Sequence, residues 1–178
     1  MSAESYMIFR VGGRNCAVSV ANILEVTEND NLSPLPGAPG FVVGIRKFRD
    51  EVLPVIDMVK RLSIPKVETE DKTGKYIVIF ETVNANAKKR FGALVDKVLS
   101  VKELQNNAVK IVDDIDKNIT PAEYIKGVID SPDGFIYVLL PEFFFSNKDF
   151  QRLDFIMPED FWVQPKEDIL AVDKQRKK

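Results

Sequence analysis

The stretch GIRKFRDEVLPVID, residues 44–57, decides the fold class. Apolar and β-branched residues fill both of its halves, which favours extended strands over 41–48 and 51–56. The charged pair Arg49-Asp50 between the two halves suits an exposed tight turn. The sequence therefore predicts a β-hairpin with Arg49 at its tip.

Short apolar runs and turn residues alternate on both sides of this hairpin. Residues 5–20 predict a hairpin around Gly12-Gly13, and Ser19 is suited to cap a helical turn before a strand at 23–27. Gly134 is available for positive φ in a turn at 131–134. Further strands are predicted at 75–81, 90–96, 98–104, 124–129 and 135–140, with short helices near 57–62 and 141–145. Many short strands indicate a mainly β fold, arranged as two small β-barrels with short helices.

Composition narrows the function. The chain has 178 residues, a formal net charge of −2, no histidine and one cysteine, Cys16. The acidic balance disfavours nucleic-acid binding, and the lack of histidine removes the commonest general base and metal ligand. No apolar run approaches the roughly 20 residues that span a bilayer. We expect a cytoplasmic protein with no catalytic site, cofactor, metal or direct membrane insertion.

Residues 44–57 resemble the signature of the CheW family, a Gly-Val-Ile-Asn-Leu-Arg-Gly-x-Val-x-Pro-Val-x-Asp-Leu pattern. The proline loop at 34–39 and the segments FGALVDKV, 91–98, and YIKGV, 124–128, are similar to their family counterparts in the same order. The resemblance covers about residues 5–146. It implies two intertwined five-stranded barrels, no catalytic activity and a scaffold role in chemotaxis signal transduction.

The resemblance also implies two partners. One barrel surface would bind the regulatory domain of a CheA-type histidine kinase, which is itself CheW-like. A groove between the barrels would take the cytoplasmic tip of a methyl-accepting chemoreceptor, which is a helical hairpin. The family's partner-binding positions fall on Ile23, Glu25, Gly44, Lys47 and Arg49, of which Gly44 and Arg49 are associated with receptor coupling.

Three residues of the signature depart from the family pattern. Lys47 stands in place of asparagine, Asp50 in place of a turn glycine and Arg46 in place of an aliphatic residue. A positive φ at Asp50 would be mildly strained. The departures suggest that the choice of partner differs from the family's. Without the resemblance, Arg49 and Glu25 are also compatible with solvated surface residues, and Ile23 with the core.

The end of the chain extends beyond the family pattern. We expect residues 1–146 to form the CheW-like domain, with two barrel subdomains, and 147–178 to form a C-terminal extension that packs first and is disordered from 166 onward. The spacing of Phe150, Leu153, Ile156 and Met157 predicts an apolar stripe on a short helix ended by Pro158. Six residues are too apolar for a solvated tail: Phe150, Leu153, Phe155, Ile156, Phe161 and Trp162.

Two other functions compete with the adaptor. A small β-barrel that binds nucleic acid would use Arg46, Lys47, Arg49 and residues 88–90, and its affinity would fall steeply with salt. An enzyme with paired carboxylates is the third hypothesis. The chain has no spaced carboxylate motif to support it.

Overall fold

The computed structural model describes residues 2–64, 67–68, 73–84, 86–111 and 122–157. The strands are β1 (Ala3–Val11), β2 (Arg14–Ser19), β3 (Ile23–Glu28), β4 (Val42–Phe48), β5 (Glu51–Asp57), β6 (Tyr76–Asn84), β7 (Ala87–Val95), β8 (Lys97–Gln105), β9 (Lys110–Ile111), β10 (Ile125–Ser131) and β11 (Gly134–Leu139). The α-helices are α1 (Met58–Leu62) and α2 (Asn147–Ile156), and one-turn 3₁₀ helices occupy Val20–Asn22, Asn106–Ala108, Ala122–Tyr124 and Pro141–Phe143. None of the helices in these ranges is long and apolar enough to cross a membrane.

The strands form two sheets. The six-stranded sheet has the order β8-β1-β2-β11-β10-β9, and the five-stranded sheet has the order β3-β6-β7-β5-β4. Both ends of the chain therefore build the first sheet, and the middle of the chain builds the second. Neighbouring strands are antiparallel except for the parallel pairs β2–β11 and β5–β7.

The predicted mainly β fold with short helices is confirmed, and two details differ from a pair of five-stranded barrels. Neither strand order closes on itself among the described residues. The first sheet also has a sixth strand, β9, between residues 104 and 124, where the sequence analysis predicts no strand. β9 is two residues long, too short for an alternating pattern, and it approaches β10 at Gly127, where any Cβ would collide with the Lys110 carbonyl oxygen.

Apolar side chains gather in three clusters. One cluster uses only the six-stranded sheet and the residue that precedes β9, and it includes Ile8 of β1. Another uses only the five-stranded sheet and includes Leu53. The largest contains residues of both sheets and of α2, among them Phe9 and Phe80. Ile8 and Phe9 are neighbours in β1, and successive side chains of a strand point to opposite faces, so one strand supplies two clusters.

A buried carboxylate joins the two sheets. Asp96 is 4% exposed and accepts hydrogen bonds from the N–H of Gly12, at 2.7 Å, and of Gly74, at 2.6 Å. Gly12 lies in the β1–β2 turn of one sheet, and Gly74 precedes β6 of the other. Both have positive φ, 57° and 63°, which glycine adopts without strain. The carboxylate therefore fixes the two turns relative to each other.

Helix α2 begins with a capping box between Ser146 and Asp149. It buries Phe150 and Leu153 against the large cluster, and Met157 is buried directly after it. The expectation that Phe155 packs was wrong, since its side chain is 90% exposed. Two residues turn a helix by about 200°, so Phe155 lies opposite Leu153. The predicted roles of Pro158, Phe161 and Trp162 lie outside the described residues.

Candidate functional site

One end of the five-stranded sheet brings together the start of β3 and the β4–β5 turn. Ile23 of β3 pairs with Phe80 of β6. The next residue of β6, Glu81, forms an ion pair with Arg90 of β7 at 2.7 Å, and Arg90 reaches Glu51 of β5 at 2.9 Å. Glu51 directly follows the turn formed by Arg49 and Asp50. Ile23 and Arg49 therefore lie at the same end of the sheet, which we call the tip end.

The ion pairs at the tip end are shielded from solvent. The side chain of Glu51 is 7% exposed, while those of Arg90 and Glu81 are 21% and 22% exposed. Burial lowers the pKa of Arg90, but hydrogen bonds and charge from Glu81 and Glu51 outweigh it and raise the pKa overall. Asn22, the residue before β3, also donates to the Glu81 carbonyl oxygen at 3.3 Å. The network connects the two predicted partner-binding elements.

Arg49 occupies the turn in a left-handed conformation. Its φ is 56°, whereas Asp50 is not among the described residues with positive φ. The sequence analysis considered a strained positive φ at Asp50, the second residue of the turn. In the structure the first residue, Arg49, has the left-handed conformation instead. The exposed Arg49 guanidinium lies 4.8 Å from the centre of the Phe48 ring. This contact presents the charge at the tip of the hairpin.

Gly44 lies away from the tip, opposite Val55 in the middle of the hairpin. A Cβ there would collide with the Ser33 carbonyl oxygen. Ser33 exchanges two backbone hydrogen bonds with Ile45, at 2.9 and 2.7 Å, so glycine allows the preceding loop to pair with β4. Position 44 therefore requires glycine so that the loop containing Ser33 can pair with β4.

Lys47, Glu25 and Ile23 occupy different environments. Lys47 is exposed and lines an open groove of about 440 Å³. Glu25 is exposed on β3, an edge strand of the sheet. Ile23 is half-buried and packs against the large cluster, so it contributes to the core as well as to the tip end. The five predicted residues do not form one compact site.

Arg46 connects the two edges of the five-stranded sheet. Its Nη1 donates to Thr27 Oγ1 and to the Glu28 carbonyl oxygen of β3, both at 2.6 Å. Its Nη2 lies 2.9 Å from Asp30 Oδ1. Thr27 and Glu28 belong to the edge strand β3, and Arg46 belongs to the other edge strand, β4. The Arg46 side chain therefore connects two strands that are not paired through their backbones in this sheet. The sequence indicates Arg46 as a departure from the family pattern and as a residue of the nucleic-acid alternative, but it does not predict this bridge.

A second concave surface lies where the two sheets meet, in the kind of position where the family resemblance implies a groove between the barrels, although the sequence named none of its lining residues. We call it the junction groove; it has a volume of about 450 Å³ and is lined by Arg61, Val83, Glu123, Glu142, Phe143, Phe145, Ser146 and Asn147. The side chains of Val83 and Phe143 are 64% and 51% exposed. These residues come from four separate parts of the chain, so no local motif could have identified the lining of the groove.

Arg61 holds one wall of the junction groove in place. Its guanidinium lies 4.4 Å from the centre of the Phe41 ring and 4.7 Å from that of Tyr124. It donates to the Phe144 carbonyl oxygen and lies 3.6 Å from Asp149 of α2. Burial, together with a hydrogen bond to Glu123, raises the pKa of Tyr124 to about 12. Helices α1 and α2 are thereby joined beside the groove.

The nucleic-acid alternative is not supported. Most of the basic side chains that it requires contact other groups of the protein. Arg46 pairs with Asp30, Arg90 contacts both Glu51 and Glu81, and Lys88 lies 3.7 Å from Glu81. Such neutralised residues do not form the free basic surface that phosphate backbones require.

Comparison with known proteins agrees with the fold. The family model that describes the CheW-like domain matches residues 5–147 of this chain. Chemotaxis protein CheW of Treponema pallidum is 27% identical over 145 residues, covering 82% of this chain and 84% of that protein. Protein FrzA of Myxococcus xanthus is 31% identical over 101 residues, covering 57% of this chain and 59% of that protein.

A solved structure has the same architecture. The scaffolding protein TtCheW from Thermoanaerobacter tengcongensis superposes with a TM-score of 0.67 at 20% identity, covering 84% of this chain and 92% of that chain. At this identity the likeness concerns the fold alone. The match of the domain model to residues 5–147 covers most of the sequence. This chain therefore belongs to the CheW-like domain family.

Proposed function

We propose that this chain is a chemotaxis coupling scaffold that holds a chemoreceptor and a CheA-type histidine kinase together through two surfaces and catalyses no reaction. The observation that carries the proposal is the tip end, where the Glu81–Arg90–Glu51 network brings Ile23 of β3 and Arg49 of the signature hairpin together. Relatives named as chemotaxis proteins support it. The proposal locates the chain in the cytoplasm, where receptor tips and such kinases lie.

The first proposed surface binds the regulatory domain of the kinase. It consists of the β3 edge with Ile23 and Glu25 and of the adjoining face of the β4–β5 hairpin with Lys47. Glu25 and Lys47 are exposed and opposite in charge. Opposite charges on one surface favour one orientation of a partner more than they increase its affinity. Arg46 supports this surface by keeping the two edge strands together.

The second proposed surface takes the helical tip of the receptor. It combines the junction groove with Arg49. Val83, in the groove, lies two residues beyond Glu81 on β6, so the groove opens near the tip end. The exposed side chains of Val83 and Phe143 in this mixed polar and apolar groove suit contact with the apolar stripe of a helix. Arg49 is free to make charge-assisted hydrogen bonds to a receptor carboxylate.

We further infer that residues 1–146 constitute the scaffold domain and that 147–178 is an extension of it. The family match ends at residue 147, which supports this division. Helix α2 belongs to the extension and packs on the domain through Phe150 and Leu153. The extension thereby adds stability and one wall of the junction groove.

Replacing Arg49 with alanine tests the proposed function. The affinity for a receptor-tip fragment should fall by roughly 30-fold, because a desolvated interface arginine contributes about 2 kcal/mol or more. Affinity is measured by isothermal titration calorimetry and stability by urea unfolding. Lys102→Ala, on the exposed face of β8, is the matched control and should change neither. Unchanged receptor affinity in Arg49→Ala would contradict the assignment.

A further inference from the structure

The junction groove presents an exposed aromatic side chain, Phe143, on a well-packed backbone. Phe143 is 51% exposed, while the next two residues, Phe144 and Phe145, are 0% and 3% exposed. Phe144 packs edge-on against Phe80 and Phe91. The 3₁₀ turn that carries Phe143 begins at the buried Pro141. The backbone at Phe143 is therefore fixed by its buried neighbours, so no ordering of the main chain is needed when its exposed side chain contacts a partner.

The rim of the groove has an excess of negative charge. The charge of Arg61 is offset by Asp149 at 3.6 Å. Glu123 and Glu142 have no ion-pair partner among the described residues, although Glu123 is hydrogen-bonded to the Tyr124 hydroxyl, a contact that leaves its charge in place. Two lysines of β7 contact other groups: Lys88 lies 3.7 Å from Glu81, and Lys89 lies over the Phe150 ring at 5.2 Å. Two carboxylates thus remain uncompensated beside Val83 and Phe143.

The size of the groove limits what can occupy it. A volume of about 450 Å³ accommodates several side chains but not a helix with a diameter of about 10–12 Å. A bound helix would therefore lie across the groove and insert only its apolar stripe. The residues that flank such a stripe would face Glu123 and Glu142. Charge complementarity requires these flanking residues to be cationic.

We propose that the junction groove binds an amphipathic helix whose apolar stripe is flanked by lysine or arginine, and that Glu123 and Glu142 select those cations. The inference rests on the proposed function, because a receptor-tip helix is the partner expected in the groove. It adds the chemistry that the helix must carry. Glu123 and Glu142 determine specificity, while Phe143 anchors the stripe.

Two synthetic peptides of about 18 residues test the proposal. They share one leucine stripe and carry either lysine or glutamate at the same flanking positions. Their binding to the full 178-residue chain is measured by fluorescence anisotropy at low ionic strength and in about 0.5 M salt. The lysine peptide should bind roughly two- to thirty-fold more tightly at low salt, as two partly exposed ion pairs allow, and the difference should shrink in high salt.

Variants assign the preference to individual residues. The double variant Glu123→Gln, Glu142→Gln should bind the two peptides equally, because glutamine keeps the shape and removes the charge. Glu103→Gln, at an exposed position of β8, is the matched control and should keep the preference. Phe143→Ser should weaken both peptides by a similar factor.

Four results would overturn the proposal: equal binding of the two peptides, a preference that persists in the double variant, no binding of either peptide, or dimerisation of the chain that Phe143→Ser abolishes. A receptor-tip fragment measured in parallel separates this proposal from the scaffold role. If it binds in an Arg49-dependent way while the peptides show no preference, only the charge selection is wrong. If no receptor or kinase fragment binds while the peptide preference holds, only the scaffold role is wrong.

Discussion

Arg49→Gly is expected to separate the stability of the hairpin from its binding role. The φ of Arg49 is 56°, and a left-handed conformation costs a non-glycine residue about 1–2 kcal/mol. Glycine at position 49 relieves this cost, but its greater freedom in the unfolded chain offsets about 0.5–1 kcal/mol of the relief. Loss of the contact between Arg49 and the Phe48 ring costs about 0.5–1 kcal/mol in both Arg49→Gly and Arg49→Ala. Arg49→Gly should thus be near wild type in stability, and Arg49→Ala less stable by about 0.5–1 kcal/mol.

Urea unfolding followed by circular dichroism measures this difference, which corresponds to about 1–4 °C in Tm for a chain of this size. Receptor affinity should fall equally in both variants, because both lack the guanidinium. Asp50→Gly is the matched control: its φ is not positive, so glycine relieves no strain there and should lower stability. An Arg49→Gly variant less stable than Arg49→Ala would refute the reasoning, as would a stabilised Asp50→Gly variant.

Four other predictions concern the fold beneath the two surfaces. Asp96→Ala should lower the free energy of unfolding by about 2–5 kcal/mol in urea titrations, because the N–H groups of Gly12 and Gly74 lose their acceptor. Leu153→Ala should lower the free energy of unfolding by about 2–5 kcal/mol in the same assay, because it leaves a cavity where the buried Leu153 side chain of α2 packs. Burial raises the pKa of Cys16 to about 12, so a thiol reagent at pH 8 should react only after denaturant is added. The raised pKa of Tyr124 contributes stability that is complete below pH 10 and lost as the pH rises towards about 12, and ultraviolet titration should show this late ionisation.

Features set by neighbouring residues could be read from the sequence. The capping role of Ser19 is confirmed by a 3.3 Å hydrogen bond from the Ala21 N–H. Gly134 has the predicted positive φ, 111°, and Pro141 opens its 3₁₀ turn. Each depends on a backbone conformation within about four residues, where side-chain chemistry acts directly. The hairpin with Arg49 at its tip was predicted for the same reason.

Features set by distant residues could not be read in the same way. Asp96 binds one glycine 84 residues away and another 22 residues away. The bridge made by Arg46 and the residues of the junction groove likewise depend on which strands become neighbours. The sequence therefore predicted the scaffold and its hairpin, and through the family resemblance a groove between the barrels, but not the ion-pair network or the residues that line the junction groove.

The central claim is that two partners occupy this chain at the same time. The direct measurement is sedimentation velocity of the full chain mixed with a kinase regulatory domain and a receptor-tip fragment, each also tested alone with the chain. The scaffold account predicts a complex containing all three components, in which the receptor fragment adds to the chain already bound to the kinase domain. Displacement of one partner by the other, with no such complex at saturating concentrations, would contradict it.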